Sequence, residues 1–420
     1  MAVFDVAHTK DLAEFIHASP SPYHACANAA DRLEAAGYRE LDEAAAWPHE
    51  PGAYYVVKDG SIIAWRVDDP AQFQNGFRIF GAHTDSPILK VKPQPDTGVA
   101  GWKQVAVETY GGIPYDTWLD VDLGVAGRLA LRDGSIKLVH VDRPLLRVPR
   151  LAIHLDREVN KGMKLNAQQH LTPVWGLGPV EQGEFLEFVA KEAGVTAGDV
   201  LGFDLVLPGT QKPSFLGREN EFLAAPRLDN LMSTHAGLSA LLKVESSEKI
   251  PVFVSFNHEE SGSMTSSGAQ SPFLERTLRR ILAADEETVA QRFAASTVMS
   301  SDTGQAVHPN FSERHEPGHH PLPNGGPMLK TSANERYATG AEEQALFVRA
   351  CEAADIPWQF YVNRNDIPGG TTIGPLSATQ LSMLTVDVGP GILSMHSSRE
   401  LCGTADAHHL ADLALSYFQL

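Results

Sequence analysis

Short apolar runs bounded by turn residues alternate along this chain with stretches rich in Ala, Leu and Glu, a pattern of strands and amphipathic helices. Asp11 to His17 and Tyr23 to Ala36 read as helices, the second stopped by Gly37. Strand-like runs follow at Ala53 to Val57, Ser61 to Val67 and Phe77 to Ala82. The middle third is β-rich, with Gln104 to Thr109, Val121 to Leu131 and Ser135 to Val141, and Asp133-Gly134 reads as a hairpin turn. After about Phe222 the alternation resumes: a helix from about Leu228 to Val244, a strand Pro251 to Phe256, a helix near Pro272 to Ala284 and a strand Ser296 to Ser301. A helix Ala341 to Ala354, strands Trp358 to Val362 and Leu381 to Val388, and a terminal helix Ala405 to Phe418 complete it. The pattern predicts an α/β sheet with helices on both faces, formed by residues 1–91 and 225–420, with residues 92–224 inserted as a β-rich module. His308 to Met328 is rich in Pro, Gly and His without periodicity, so a long loop is expected there.

Composition narrows the function classes. A chain of 420 residues with 43% apolar content exceeds what one compact core uses, in keeping with an insert. Apolar runs such as Val252 to Phe256 fall far short of the roughly 20 residues of a membrane span. The start, Met-Ala-Val-Phe-Asp-Val-Ala-His, has no basic region followed by an apolar one, so a cytoplasmic location is expected. Cys26, Cys351 and Cys402 form no C-x-x-C and read as reduced core residues. The formal charge of -18 argues against nucleic acid or anionic lipid as partner, and an acidic ligand would need a local cation working against the overall field.

Several strand-like runs end in residues able to bind metal: Arg78 to His83, Val252 to Glu260, and Thr297 to Asp302. In open α/β sheets ligands gather beyond the carboxyl ends of strands, so these residues can converge. Asp229 lies at the mouth of a predicted helix, and His396 follows the apolar run ending at Val388. Together His83, Asp229, Glu260, Asp302 and His396 offer mixed nitrogen and oxygen ligation suited to zinc, and also to cobalt or manganese, with Glu259 left over. A single His or Asp at a strand end is more often a cap than a ligand. The vicinal pair Glu259-Glu260 after a buried strand says more, because it is costly unless charge or metal compensates. Asp85, two residues beyond His83, is the candidate to orient that imidazole. His315-Glu-Pro-Gly-His319 matches H-E-x-x-H literally, but Pro317 and Gly318 exclude the helix that motif needs. Neither a G-x-S-x-G elbow nor a phosphate-binding G-x-x-x-x-G-K-[ST] loop is present.

The motifs Gly81-Ala-His-Thr-Asp-Ser-Pro87, Val107-Glu-Thr-Tyr-Gly-Gly112, Leu151-Ala-Ile-His-Leu155, Arg227-Leu-Asp-Asn-Leu231 and His258-Glu-Glu-Ser-Gly-Ser263 resemble, in order, those of the aspartyl aminopeptidases, the M18 metallopeptidases. So do Ser301-Asp-Thr303, Asn334-Glu-Arg-Tyr337, Gly369-Gly-Thr-Thr-Ile-Gly-Pro375 and Met395-His-Ser-Ser-Arg-Glu400. The resemblance spans nearly the whole chain. It implies a mixed-sheet α/β metallopeptidase domain interrupted by a β-rich dimerisation domain, and a dodecamer built from dimers. It also implies two divalent ions bridged by Asp229, one held by His83 with Glu260 or Asp302, the other by the remaining carboxylate and His396. His154, which alone would read as a hydrogen-bonded histidine on a strand, is implied to reach a neighbouring subunit's active site. Lys330 is implied to meet an acidic substrate side chain, with Arg336 and Arg364 as lesser candidates.

The expected reaction is removal of an amino-terminal Asp or Glu from peptides, with a water between the ions as nucleophile and Glu259, beside Glu260, as general base. A related two-metal deacylase or carboxypeptidase would share the ligands but lack the inserted module's motifs. A non-catalytic peptide-binding assembly protein would lack a ligand or the base, and none is missing.

Overall fold

The computed structural model describes residues 6–420; the opening Met1–Asp5, part of the stretch read above as lacking a leader, lies outside the described residues. A nine-stranded mixed sheet forms the centre, in the order Arg39–Glu40, Gly52–Lys58, Ser61–Val67, Ile250–Phe256, Phe77–His83, Thr297–Ser301, Leu384–Gly389, Met328–Thr331, Gln359–Val362. Its inner strands are buried on both faces, which is why they read as continuous apolar runs. Side chains alternate across them. Phe80, Phe253 and Met299 face one core, shared with the helices Ala7–Ala18, Pro22–Ala35, Leu228–Lys243, Ala341–Ala354 and Thr404–Gln419. Ile79, Val254 and Val298 face the other, shared with Phe273–Leu282, Glu286–Ala294 and Ile373–Leu381. The predicted two-faced α/β layering is therefore present. Gly237 lets the helix Leu228–Lys243 lie close on the sheet, since a Cβ there would stand 2.5 Å from Phe80 and 2.8 Å from Phe253.

The middle of the chain closes into a six-stranded barrel with its own apolar core, in the order Val200–Val206, Ile88–Val99, Trp102–Tyr110, Val174–Leu177, Ile136–Arg147, Asp122–Leu131. The Asp133-Gly134 turn forms as read, with Asp133 Oδ1 accepting from Ser135 N at 2.9 Å and Gly134 at φ 86°. A five-stranded sheet links Ser214–Leu216, Phe222–Ala225, Glu400–Gly403, Gly391–Leu393 and Gly304–Gln305.

Two sequence expectations need correction. The strand expected from Leu381 begins at Leu384, after the helix Ile373–Leu381. Gly374 and Pro375 look like breakers, yet they lie in the first turn, where a missing N–H costs nothing, and Thr372 Oγ1 caps Gly374 N at 3.1 Å. His154 lies in an exposed turn rather than on a strand and forms no hydrogen bond or ion pair among the described residues. The long stretch from His308 is irregular up to the strand Met328–Thr331. His315 to His319 is turn and bend, so the literal H-E-x-x-H has no helix. All three cysteines are free and buried. Among the described residues no helix is long and apolar enough to cross a membrane.

Candidate metal centre

Four strands of the large sheet run parallel, so their carboxyl ends share one edge. His83 closes Phe77–His83, Glu259 and Glu260 follow Ile250–Phe256, and Asp302 follows Thr297–Ser301. Asp229 enters at the start of Leu228–Lys243, whose Asn230 Nδ2 donates to Ser301 O at 2.8 Å and so locks the helix mouth to the strand before Asp302. The turns bend sharply. His258 and His396 hold left-handed backbone at φ 67° and 64°, a conformation that costs a non-glycine residue about 1–3 kcal/mol and concentrates at functional sites.

These elements bring all five predicted ligands together. His83 Nε2 lies 3.3 Å from Asp229 Oδ1 and 3.6 Å from Asp302 Oδ1. His396 Nε2 lies 3.2 Å from Asp229 Oδ2 and 3.3 Å from Glu260 Oε1. Asp229 thus presents one oxygen to each imidazole. Glu259 stands farther off, its Oε2 3.9 Å from His83 Nε2. Each imidazole has its other nitrogen on a carbonyl, His83 Nδ1 on Asp85 O at 3.0 Å and His396 Nδ1 on Gly112 O at 3.1 Å. Donation from Nδ1 fixes the tautomer of the neutral ring, in which Nε2, facing the carboxylates, has its electron pair free for a cation.

Asp85 stands behind His83, but through its backbone carbonyl. Its carboxylate, 3.5 Å from His83 Nδ1, is engaged elsewhere: Oδ1 accepts from Glu259 N and Oδ2 from Glu260 N, each at 3.1 Å, and Oδ2 also accepts from Tyr110 Oη at 2.6 Å. Glu400, fully buried, plays the matching part on the other side. Its Oε2 accepts from Asp229 N at 3.0 Å and its Oε1 from His396 N at 2.7 Å. Tyr110, Gly112 and Glu400 carried no assigned role in the sequence, although all three sit inside the quoted motifs.

The electrostatics call for positive charge. Burial pushes the Glu259 carboxyl up to about 9, with Asp302, Glu260 and Asp85 adding to it. Burial and Asp229 push Glu260 up to about 7, and burial and Asp229 push Glu400 up to about 8. Burial opposes the shift at His396, yet Asp229 and Glu260 raise it to about 11. Against burial, His396 and His83 hold Asp229 far below the usual carboxylate range. Where no other cation stands beside them, the buried carboxylates draw the two imidazoles toward the protonated form. Even so, Asp229 Oδ1 and Glu260 Oε1 are buried without a hydrogen bond. Orphaned carboxylate oxygens in this setting are costly unless a cation meets them. His83, Asp229 and Glu260 each offer a ligand atom within 4.8 Å of the others, and nitrogen with carboxylate oxygen is a donor set that fits zinc.

The family described as Aminopeptidase I zinc metalloprotease (M18) matches residues 15–418. The chain belongs to the M18 aminopeptidase family. It is thus a metalloaminopeptidase of a zinc-dependent family, and its fold agrees. A Streptomyces coelicolor protein named "Probable M18 family aminopeptidase 2" is 53% identical over 425 residues, which cover 99% of this chain and 98% of that one. The solved complex of Ape4 and Nbr1 superposes with a TM-score of 0.95 at 37% identity, covering 98% of this chain and 85% of that one. The mApe1 dodecamer of S. cerevisiae gives 0.86 at 27% identity, covering 98% and 96%.

Within this M18 chain Lys330 is 1% exposed, on the strand Met328–Thr331. Its Nζ donates to Thr303 O at 2.8 Å and lies 5.5 Å from the Tyr337 ring centroid, and no carboxylate forms an ion pair with it among the described residues. A buried ammonium with three donors and one accepting carbonyl has donors to spare. Next to it opens a cavity of about 690 Å³ lined by Thr331, Arg336, Asn363, Arg364 and Gly369 among others. Tyr361, opposite Lys330 on the neighbouring strand, donates to Asn363 Oδ1 at 2.9 Å, and its ring meets that of Tyr337 at 6.2 Å. Arg364 pairs with its neighbour Asp366 at 2.6 Å, as a surface ion pair would. His154 stands apart in its exposed turn, flanked by Leu151, Ile153 and Leu155, which are 53–75% exposed.

Proposed function

We propose that this enzyme binds two divalent ions, zinc by preference, bridged by Asp229, and removes an amino-terminal Asp or Glu from peptides. His83 and Asp302 would hold one ion, and His396 and Glu260 the other. The observation that carries this reading is the bridging posture of Asp229, whose two oxygens each face a different imidazole at 3.3 and 3.2 Å. Bound ions would supply Lewis acidity, easing ionisation of a water and polarising the scissile carbonyl. The chain's own residues do the rest. Glu259, off the ligand set but beside it, takes the water's proton and returns it to the leaving amine. Its carboxyl would be favoured in the ionised form by positive charge bound beside it. Asp85 and Glu400 fix the backbone on which Glu259, Glu260, Asp229 and His396 are mounted.

For the substrate's acidic side chain we assign Lys330, whose unspent donors supply the local cation that an acidic protein needs. His154, with its exposed apolar neighbours, is assigned to a neighbouring subunit's active site. The barrel is assigned to dimerisation, and the assembly to a dodecamer like that of the yeast relative. A panel of aminoacyl amides and N-acyl amino acids, offered to the zinc-loaded protein, tests the reaction. Cleavage of Asp and Glu amides ahead of Leu and Ala amides supports it. Cleavage of the N-acyl compounds instead would make the enzyme a deacylase.

A further inference from the structure

The inserted barrel is joined to the metal centre at its first two strands. Ile88–Val99 begins directly after the His83 to Pro87 segment, and Trp102–Tyr110 returns antiparallel to it, with Tyr110 opposite Ile88. That register carries the last residue of the barrel strand back to the catalytic edge, where Tyr110 Oη donates to Asp85 Oδ2 at 2.6 Å. The chain then turns at Gly111, φ 69°, where a Cβ would press on Pro87 at 3.1 Å. Gly112 O takes the Nδ1 proton of His396 at 3.1 Å. One short segment of the barrel therefore touches both sides of the metal centre.

We propose that Tyr110 is a positioning residue for the reaction, which holds Asp85 from the barrel and, through Asp85, the backbone that aims Glu259 and Glu260. Asp85 is 1% exposed, and its two oxygens meet three donors: Tyr110 Oη, Glu259 N and Glu260 N. The phenol is the only one of these from the inserted barrel, and its short bond to a carboxylate is of the strong, charge-assisted kind. Burial and the neighbouring Asp85 hold the phenol above its usual ionisation range, which favours the protonated form that donates. Without it, one Asp85 oxygen loses its best partner and the carboxylate is free to swing. The Glu259-Glu260 turn would follow, because both amides hang on that group. Displacement of the barrel would have the same effect, so the placement of the inserted module and the geometry of the centre are linked.

The inference rests on the two-metal reading, and Tyr110→Phe in the full-length, assembled protein tests it with two separate readouts. Loosening a group that orients a metal site typically costs about 10–100-fold in activity or metal affinity. At saturating zinc kcat should fall by that factor with KM within about twofold, and zinc should be lost to a competing chelator at correspondingly lower concentration. Melting temperature and assembly size should stay near those of the wild type, because the ring remains. In combination with Asp85→Asn, Tyr110→Phe should add nothing, as expected of two groups in one network. A fall in either readout supports the proposal. Wild-type kcat together with wild-type zinc affinity overturns it, as does an additive double variant or a loss of activity that merely tracks loss of folded assembly. A wild-type protein inactive on every aminoacyl amide would count against the aminopeptidase reading alone, and the chelator competition would still decide the role of Tyr110.

Discussion

Replacing Glu259 with Gln separates the base from the ligands. The side chain keeps its shape and loses its capacity to take a proton. A positioned general acid–base contributes about 10²–10⁴-fold, or roughly 3–5 kcal/mol of barrier, so kcat should fall by that factor with little change in KM. Zinc should stay bound. Glu259 Oε2 stands 3.9 Å from His83 Nε2, farther out than Asp229 at 3.3 Å and Asp302 at 3.6 Å, and neither imidazole depends on it. Stability should move the other way from activity. Burial, reinforced by Asp302, Glu260 and Asp85, raises the Glu259 carboxyl from 4.5 to about 9 in the metal-free fold. A folded-state pKa above the unfolded one means stability that is present at low pH and lost as pH rises toward that value. Gln is neutral throughout, so the chelator-treated variant should melt at or above the wild type near pH 9, where that loss approaches its full extent. The assays are steady-state hydrolysis of an aminoacyl amide, zinc content of the purified protein and thermal melting with and without chelator. Turnover within about tenfold of the wild type at full zinc would refute the assignment of Glu259 as base, and loss of zinc would make it a ligand instead.

Two further outcomes follow from single features. Lys330→Met removes the buried ammonium but keeps the bulk; it should abolish the preference for Asp and Glu amides while leaving cleavage of Leu or Met amides within about tenfold, measured as ratios of kcat/KM. An unchanged acidic preference would move the specificity elsewhere, Arg336 first. Stability should fall on acidification through two buried histidines that are not among the proposed ligands. Burial, with His235 and Lys243 adding, lowers His8 from 6.5 to about 3, and burial with His140 lowers His24 to about 4. Both stay neutral in the fold where the unfolded chain takes up protons, so stability present above about pH 6.5 is lost as pH falls toward 4, by up to about one proton each. Chemical denaturation across that range should be less pH-dependent in a His8→Gln, His24→Gln variant; an identical slope would contradict this.

The sheet edge was legible because its strands are buried on both faces. Such strands appear as unbroken apolar runs, and the polar residue that ends each, His83 or Asp302, stands out against them. The order of motifs then united those residues with Asp229, Glu260 and His396. What supports them was not legible. Glu400 reaches the backbone N–H of Asp229 across 171 residues, and Tyr110 reaches Asp85 across a barrel turn of 25. Neither a carboxylate that accepts backbone protons nor a phenol that donates to a distant carboxylate leaves a periodicity or a spacing rule in a sequence. The helix Ile373–Leu381 escaped for a local reason, since a Gly-Pro pair reads as a break unless its place in the first turn is known. The distribution of carboxylates was open in the sequence, and the proposed pairing rests on Asp302 lying 3.6 Å from His83 and Glu260 lying 3.3 Å from His396.

The most direct test of a centre bridged by Asp229 is the metal content of the purified, zinc-equilibrated protein and two variants. About two zinc ions per chain are expected in the wild type, about one in His396→Ala, which loses one terminal ligand, and close to none in Asp229→Ala, which loses the group common to both ions. One ion in the wild type, or full occupancy in Asp229→Ala with a normally folded protein, would contradict the account.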